Sequence, residues 1–68
     1  MLAQIEVKNR TYNARTAKTP AGFAAIVSRR HQDTETLLYR ITFTTRSQAM
    51  QAAKKAAASF AANDAYTN

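Results

Sequence analysis

Residues 36–44 read TLLYRITFT, and the next five residues, 45–49, read TRSQA. Within the first stretch, apolar and polar side chains alternate with a period of two, which predicts a half-buried β-strand. β-Branched and aromatic residues dominate it, as a pleated surface favours. Its apolar face consists of Leu37, Tyr39, Ile41 and Phe43. Its other face consists of Thr36, Leu38, Arg40, Thr42 and Thr44.

A helix is predicted to follow this strand directly. Thr45 and Gln48 have the spacing of a capping box, in which a hydroxyl caps the helix and Gln follows three residues later. Residues 46 to about 62 contain neither Gly nor Pro and are rich in alanine, the strongest helix former. The apolar stripe with helical spacing consists of Ala49, Met50, Ala53, Ala56, Ala57 and Phe60. We expect the helix to end near Asn63 and Asp64, and residues 65–68 to fray.

Two further strands are predicted upstream. Residues 2–12 alternate, with Ala3, Ile5 and Val7 on the apolar side. The other side of that strand consists of Gln4, Glu6, Lys8 and Arg10. Residues 13–22 form a predicted loop, which contains the only Pro and the only Gly of the chain.

Residues 23–30 are the second predicted strand, and residues 31–35 form a turn after it. We expect Phe23, Ala25 and Val27 to face inward, which places Arg30 on the outer side and Arg29 on the inner side. The fold class is therefore α+β: a three-stranded antiparallel meander with one C-terminal helix packed on one face, βββα, in a single domain over residues 1–68.

The chain is strongly basic, with ten Lys and Arg against four Asp and Glu, for a formal net charge of +6. Strand alternation predicts that Lys8, Arg10, Arg30 and Arg40 share the face that the helix leaves bare. A small sheet with one apolar and one basic side is typical of proteins that meet a polyanion or an acidic protein surface. The alternative is that the charge serves solubility alone. The candidate nucleic-acid-binding residues are Lys8, Arg10, Arg15, Lys18, Arg30, Arg40, Thr42 and Arg46.

Enzymatic chemistry is not indicated, and no metal or cofactor is expected. His31 is the only histidine, and it lies in a predicted turn with Asp33 and Glu35, too few ligands for a usual metal site. There is no cysteine, and no apolar run approaches the length of a membrane span. We expect a soluble, cytoplasmic protein.

Three stretches resemble the N-terminal arm-type DNA-binding domain of phage and transposon tyrosine integrases. They are residues 22–27 (GFAAIV), the basic pair Arg29 and Arg30, and residues 43–49 (FTTRSQA), where an aromatic residue and a Thr lead into a helix. The resemblance implies a three-stranded sheet packed by one C-terminal helix. It also implies that the sheet enters the major groove, with Arg30 and Arg40 as candidate base readers.

The residues and the resemblance together favour a small, non-enzymatic nucleic-acid-binding protein, with duplex DNA preferred. The alternative is a small phage or mobile-element protein that binds and inhibits a larger host or defence complex through protein contacts. Fifteen of the hydrophobic residues are alanines, so the core is thin. Because its sheet edges are unpaired, we also expect a homodimer.

Overall fold

The computed structural model describes the backbone of residues 3–66 and the side chains of residues 3–65. Four strands precede one helix: β1 (Ala3–Val7), β2 (Arg10–Thr19), β3 (Gly22–His31), β4 (Thr34–Phe43) and α1 (Arg46–Tyr66). The strands form one antiparallel sheet in the order β1-β2-β3-β4. The α+β class with a C-terminal helix is confirmed, whereas the prediction of three strands is wrong. The predicted strand start at Leu2 and the last two residues of the predicted tail lie outside the described residues.

The extra strand arises because residues 3–19 form a hairpin rather than one strand and a loop. Lys8 and Asn9 have φ values of 52° and 66°, and they form a two-residue turn between Val7 and Arg10. Two consecutive residues with positive φ are typical of the type I′ turn, whose twist matches that of paired strands. Without glycine the turn has little sequence signature, so the alternation appeared to continue through it.

This turn reverses the predicted face of Arg10. Residues directly opposite each other in an antiparallel pair share a face, and Arg10 is opposite Val7. Alternation along β2 then places Arg10, Tyr12 and Ala14 on one side of the sheet. Tyr12 and Ala14 are each 2% exposed because α1 covers this side. Arg10 therefore lies on the helix side, and its predicted place on the opposite face is wrong.

The faces of β3 agree with the prediction. Val27 is opposite Ala14, and both belong to the core beneath α1. Alternation from Val27 puts Arg29 on the helix side and Arg30 on the other. Gly22 opens the strand with a φ of 142°, and a Cβ there would collide with the carbonyl oxygen of Phe43. The glycine is therefore required for this close approach of two strands.

An irregularity in the pairing of β3 with β4 changes which side chains of β4 face the helix. Val27 pairs with Tyr39, but the next residue, Ser28, pairs with Leu37, so Leu38 is an extra residue on β4. An inserted residue reverses the alternation beyond it. Leu38 lines a cavity beside Phe60 of the helix, whereas Leu37 is 59% exposed. The predicted faces of Leu37 and Leu38 are therefore exchanged.

The helix begins as predicted and ends later. The Thr45 hydroxyl accepts a hydrogen bond from the Gln48 backbone N–H at 3.2 Å, as an N-cap requires. The predicted end at Asn63–Asp64 is wrong, since the helix continues to Tyr66. Its fully buried side chains recur every four residues and are Ala49, Ala53, Ala57 and Ala61. These small side chains let the helix lie close to the sheet, and larger neighbours fill the margins of the core.

Within residues 3–66, no helix combines the length and the apolar character that crossing a membrane requires.

Candidate nucleic-acid interface

The face of the sheet opposite α1, which we call the bare face, is where the sequence predicts the cationic cluster. The structure places four of the eight candidate residues there: Arg15, Arg30, Arg40 and Thr42. The other four lie elsewhere. Arg15 was predicted on a loop, but it belongs to the extended strand β2. The bare face therefore carries three arginines, of which Arg30 and Arg40 were predicted there and Arg15 was not.

Two of these arginines lie in a single row across three strands. Arg15 is opposite Ile26, and Ile26 is opposite Arg40, so one apolar residue separates the two cations. Adjacent strands are about 4.8 Å apart, which puts the two backbones about 10 Å apart. Both arginines are exposed, while Ile26 between them is 6% exposed although no helix covers it. We call Arg15, Ile26 and Arg40 the arginine row.

Arg30 lies in a different electrostatic environment, near the other end of the bare face. It is directly opposite Glu35 on one side and opposite Thr11 on the other, with Glu6 beyond Thr11. Two carboxylates thus share its row across the sheet. Glu35 also accepts a hydrogen bond from the buried Ser28 hydroxyl at 2.7 Å, which holds that carboxylate over the bare face. The positive charge at this end is therefore largely balanced within the molecule.

Arg10 is engaged on the helix side of the sheet. Its Nη1 donates to Oδ1 of Asp64 at 2.8 Å, and the Tyr12 hydroxyl donates to Oδ2 at 2.9 Å. We call these three residues the Asp64 cluster. These contacts connect the start of β2 to the last turns of α1. Arg10 therefore helps to hold the helix on the sheet.

The two acidic groups of this cluster titrate abnormally. Burial raises the pKa of Tyr12, and the hydrogen bond to Asp64 adds to the rise. For Asp64, burial acts to raise the pKa, but the hydrogen bonds from Tyr12 and Arg10 and the charges of Arg10 and Lys8 outweigh it. The pKa of Asp64 is consequently lowered. Both shifts favour a charged Asp64 beside a neutral Tyr12.

The remaining three candidates are spread over the molecule. Lys8 occupies the β1–β2 turn, where its charge contributes to the lowered pKa of Asp64, so its predicted place on the bare face is wrong. Lys18 is exposed and opposite Phe23, a core-facing position, so it belongs to the helix side. Arg46 begins α1, with its guanidinium carbon 5.6 Å from the centroid of the Phe23 ring. The eight residues therefore do not form one continuous patch.

Sequence reasoning missed the contacts around Asp64. A cavity of about 270 Å³ opens beside this cluster, between the sheet and the helix. It is lined by Tyr12, Arg29, Leu38, Phe60, Asn63 and Asp64. Arg10 and Asp64 are 54 positions apart, so no local pattern could link them. Among the side chains of residues 3–65, no three His, Cys, Asp or Glu come together as a potential metal site.

Comparisons of the chain with protein-family models, with curated proteins and with solved structures find no match. The resemblance to the integrase arm-type domain stays a prediction.

Proposed function

We propose that this protein is a small, non-enzymatic nucleic-acid-binding protein that contacts duplex DNA through the arginine row. The observation that supports the proposal is the arrangement of Arg15 and Arg40 in one cross-strand row on the bare face. The described residues of that row include no carboxylate. Two guanidinium groups held by a rigid sheet can each bind a phosphate and displace its counterions.

The surroundings of the row fit the same role. The neighbouring row toward the β2–β3 turn consists of Ala17, Ala24 and Thr42, so small side chains leave room for close approach, and one hydroxyl can add a hydrogen bond. The net charge of +6 attracts a polyanion from a distance. A twisted antiparallel sheet can enter the major groove, where hydroxyl groups can hydrogen-bond base edges. Because Arg15 and Arg40 are assigned to phosphates, Thr42 is the candidate base-contacting residue.

The experiment compares two variants that lose the same charge from different places. Arg15→Gln/Arg40→Gln removes both cations of the arginine row, and Lys54→Gln/Lys55→Gln removes two exposed cations from the helix. Affinity for a generic duplex is measured at several salt concentrations. Affinity falls as salt rises, and the loss of two phosphate contacts should make the plot of log affinity against log salt less steep, by about 1.8. The lysine variant should keep nearly the wild-type slope. Equal effects of the two variants, or no duplex binding at low salt, would contradict the proposal.

A second candidate function is docking on a larger protein, with inhibition of that protein as the outcome. One observation favours it: the bare face has two arginines without a carboxylate in one row, and Arg30 between Glu6 and Glu35 in another, so both signs of charge occur along the sheet. A protein surface of mixed charge can complement such a pattern, whereas a phosphate backbone cannot. A stoichiometric partner that survives nuclease treatment and is lost in Arg15→Gln/Arg40→Gln would favour this alternative.

A further inference from the structure

The two edges of the sheet differ in length and in the side chains they carry. β1 is an edge strand of five residues, whereas the opposite edge, β4, has ten. Among the described side chains, the large apolar residues with high exposure are Leu37 at 59% and Ile41 at 47%, and both belong to β4. An unpaired strand edge beside exposed apolar side chains is a template for another strand.

The extra residue Leu38 leaves only part of β4 regular. From Tyr39 to Phe43 the alternation is uninterrupted, with Tyr39, Ile41 and Phe43 on the helix side and Arg40 and Thr42 on the bare face. Natural edge strands are commonly blocked by proline, by lysine, by an inward-pointing charge or by a bulge. The segment 39–43 has none of these devices, because the bulge precedes it.

The helix leaves this segment accessible. A groove of about 330 Å³ lies between β4 and α1, and it is lined by Tyr39, Ala52, Lys55, Ala56 and Ser59. The alanines of α1 on this side are too short to reach over β4. Ile41 therefore remains half exposed, although it lies on the same side of the sheet as the core.

We propose that a second copy of the chain pairs with this edge, antiparallel along residues 39–43, with the two-fold axis at Ile41. The axis is perpendicular to the sheet, so both helices lie on the same side and the two bare faces become continuous. Ile41 is then opposite Ile41 of the second copy. Tyr39 is opposite the second copy's Phe43, and Arg40 is opposite the second copy's Thr42.

The side-chain pattern favours a second copy because the segment complements itself in this register. Apolar side chains meet apolar ones on the helix side, and Arg40 meets a hydroxyl rather than a like charge on the bare face. Centring the pairing on Tyr39 would set Ile41 against Leu37, which the extra residue has turned to the opposite face. Centring it on Phe43 would bring in Arg46, the first residue of α1. Among these three centres, only Ile41 gives five regular pairs.

The pairing also extends the candidate interface, a consequence that rests on the proposed function. The arginine row of one copy would continue through Thr42 of the second copy, and the second copy's own arginine row would run beside it. The four arginines of the two arginine rows would then lie side by side at the centre of one eight-stranded face. Because each copy carries a net +6, the pairing is opposed by repulsion in dilute salt and strengthened when salt or a polyanion screens that charge. Salt thus has opposite effects on pairing and on phosphate binding.

The first experiment measures self-association without nucleic acid, by sedimentation equilibrium at low and at high salt. We expect the dimer fraction to rise with salt. Ile41→Lys places an ammonium group at the two-fold axis and should weaken dimerisation about tenfold or more at every salt concentration. Gln51→Lys adds the same charge at an exposed helix position and should leave most of the salt-dependent dimer. The proposal would be overturned if the wild-type protein stayed monomeric at both salt concentrations, or if Ile41→Lys and Gln51→Lys dimerised equally. A strand of a different protein would then be the remaining candidate partner for this edge.

The second experiment measures binding to a duplex long enough for two copies. Wild type and Gln51→Lys should bind cooperatively, and Ile41→Lys should bind without cooperativity but with its single-site affinity kept. If no variant binds the duplex, the proposed function fails, while sedimentation still decides the pairing. If all variants bind with identical, non-cooperative isotherms, the proposed function stands and edge pairing on the duplex is overturned.

Discussion

Arg10 and Arg40 both extend from strands of the same sheet, yet their surroundings differ. Arg10 lies on the helix side and is bound to Asp64, whereas Arg40 lies on the bare face in a row whose described residues include no carboxylate. The first cation is neutralised by a residue of α1, and the second has only Ile26 and Arg15 beside it in its row. The comparison shows that charge counted along a strand overstates the charge available for binding.

The largest expected effect is a loss of stability, and it comes from a substitution on the helix side of the sheet, where Arg10 lies. Tyr12 and Val27 are the largest fully buried side chains described, and Tyr12→Ala would remove an aromatic ring from beneath the helix. We expect a loss of about 3–5 kcal/mol in the free energy of unfolding. That is comparable with the whole stability of so small a domain, roughly 3–10 kcal/mol. Circular dichroism on heating should show a largely unfolded protein.

Tyr12→Phe is the matched control for that substitution. It keeps the ring and removes only the hydroxyl that donates to Asp64, so the expected loss is about 1 kcal/mol. A Tyr12→Ala protein with a wild-type melting temperature would contradict the packing described for the helix side.

The next effect tests the two arginine environments directly. Arg10→Gln removes the ion pair with Asp64, and because Arg10 is 34% exposed we expect a loss of about 1 kcal/mol. Arg40→Gln keeps an aliphatic stem on the bare face and should change stability by less than about 0.5 kcal/mol. Urea denaturation measures both. Equal losses in the two variants would show that the arginines do not differ as the contacts indicate.

A smaller effect is expected in acid. The pKa of folded Asp64 lies below its unfolded value of 3.8, so its stabilising contribution is complete above about pH 5. That contribution is lost as the pH falls through 3.8 toward the folded pKa. Asp64→Asn cannot titrate and should flatten this part of the stability curve, which denaturant melts between pH 2 and pH 6 would show. If Asp64→Asn lost stability in acid as steeply as wild type does, that loss would have to come from other carboxylates.

The smallest effect is expected in alkali, from Tyr12. Its folded pKa lies above the unfolded value of 10.0, so the folded state favours the neutral phenol. Stability should therefore fall as the pH rises from 10 toward the folded pKa, and Tyr12→Phe should remove that decline. Absorbance of the phenolate follows the titration. If the Tyr12 phenol of the wild type had its unfolded pKa, the buried contact with Asp64 would be contradicted.

Local patterns predicted the elements whose signals lie within a few residues. The capping Thr45, the alanine-rich helix and the inward Phe23, Ala25 and Val27 were predicted because each depends on near neighbours. The turn at Lys8 and Asn9 was missed because it has positive φ values without a glycine. One missed turn merged two strands, which moved Arg10 to the wrong face and left Arg15 on a loop.

By itself, the sequence determined the α+β class, the start of the helix and the net positive charge, because periodicity, capping and composition are local or additive properties. Only the tertiary structure decided which cations remain available. Asp64 reaches Arg10 from 54 positions away, and one extra residue in β4 exchanges the faces of Leu37 and Leu38. The physical reason is that a side chain's environment is set by what packs against its strand. Strand register and helix placement fix that packing across the whole chain.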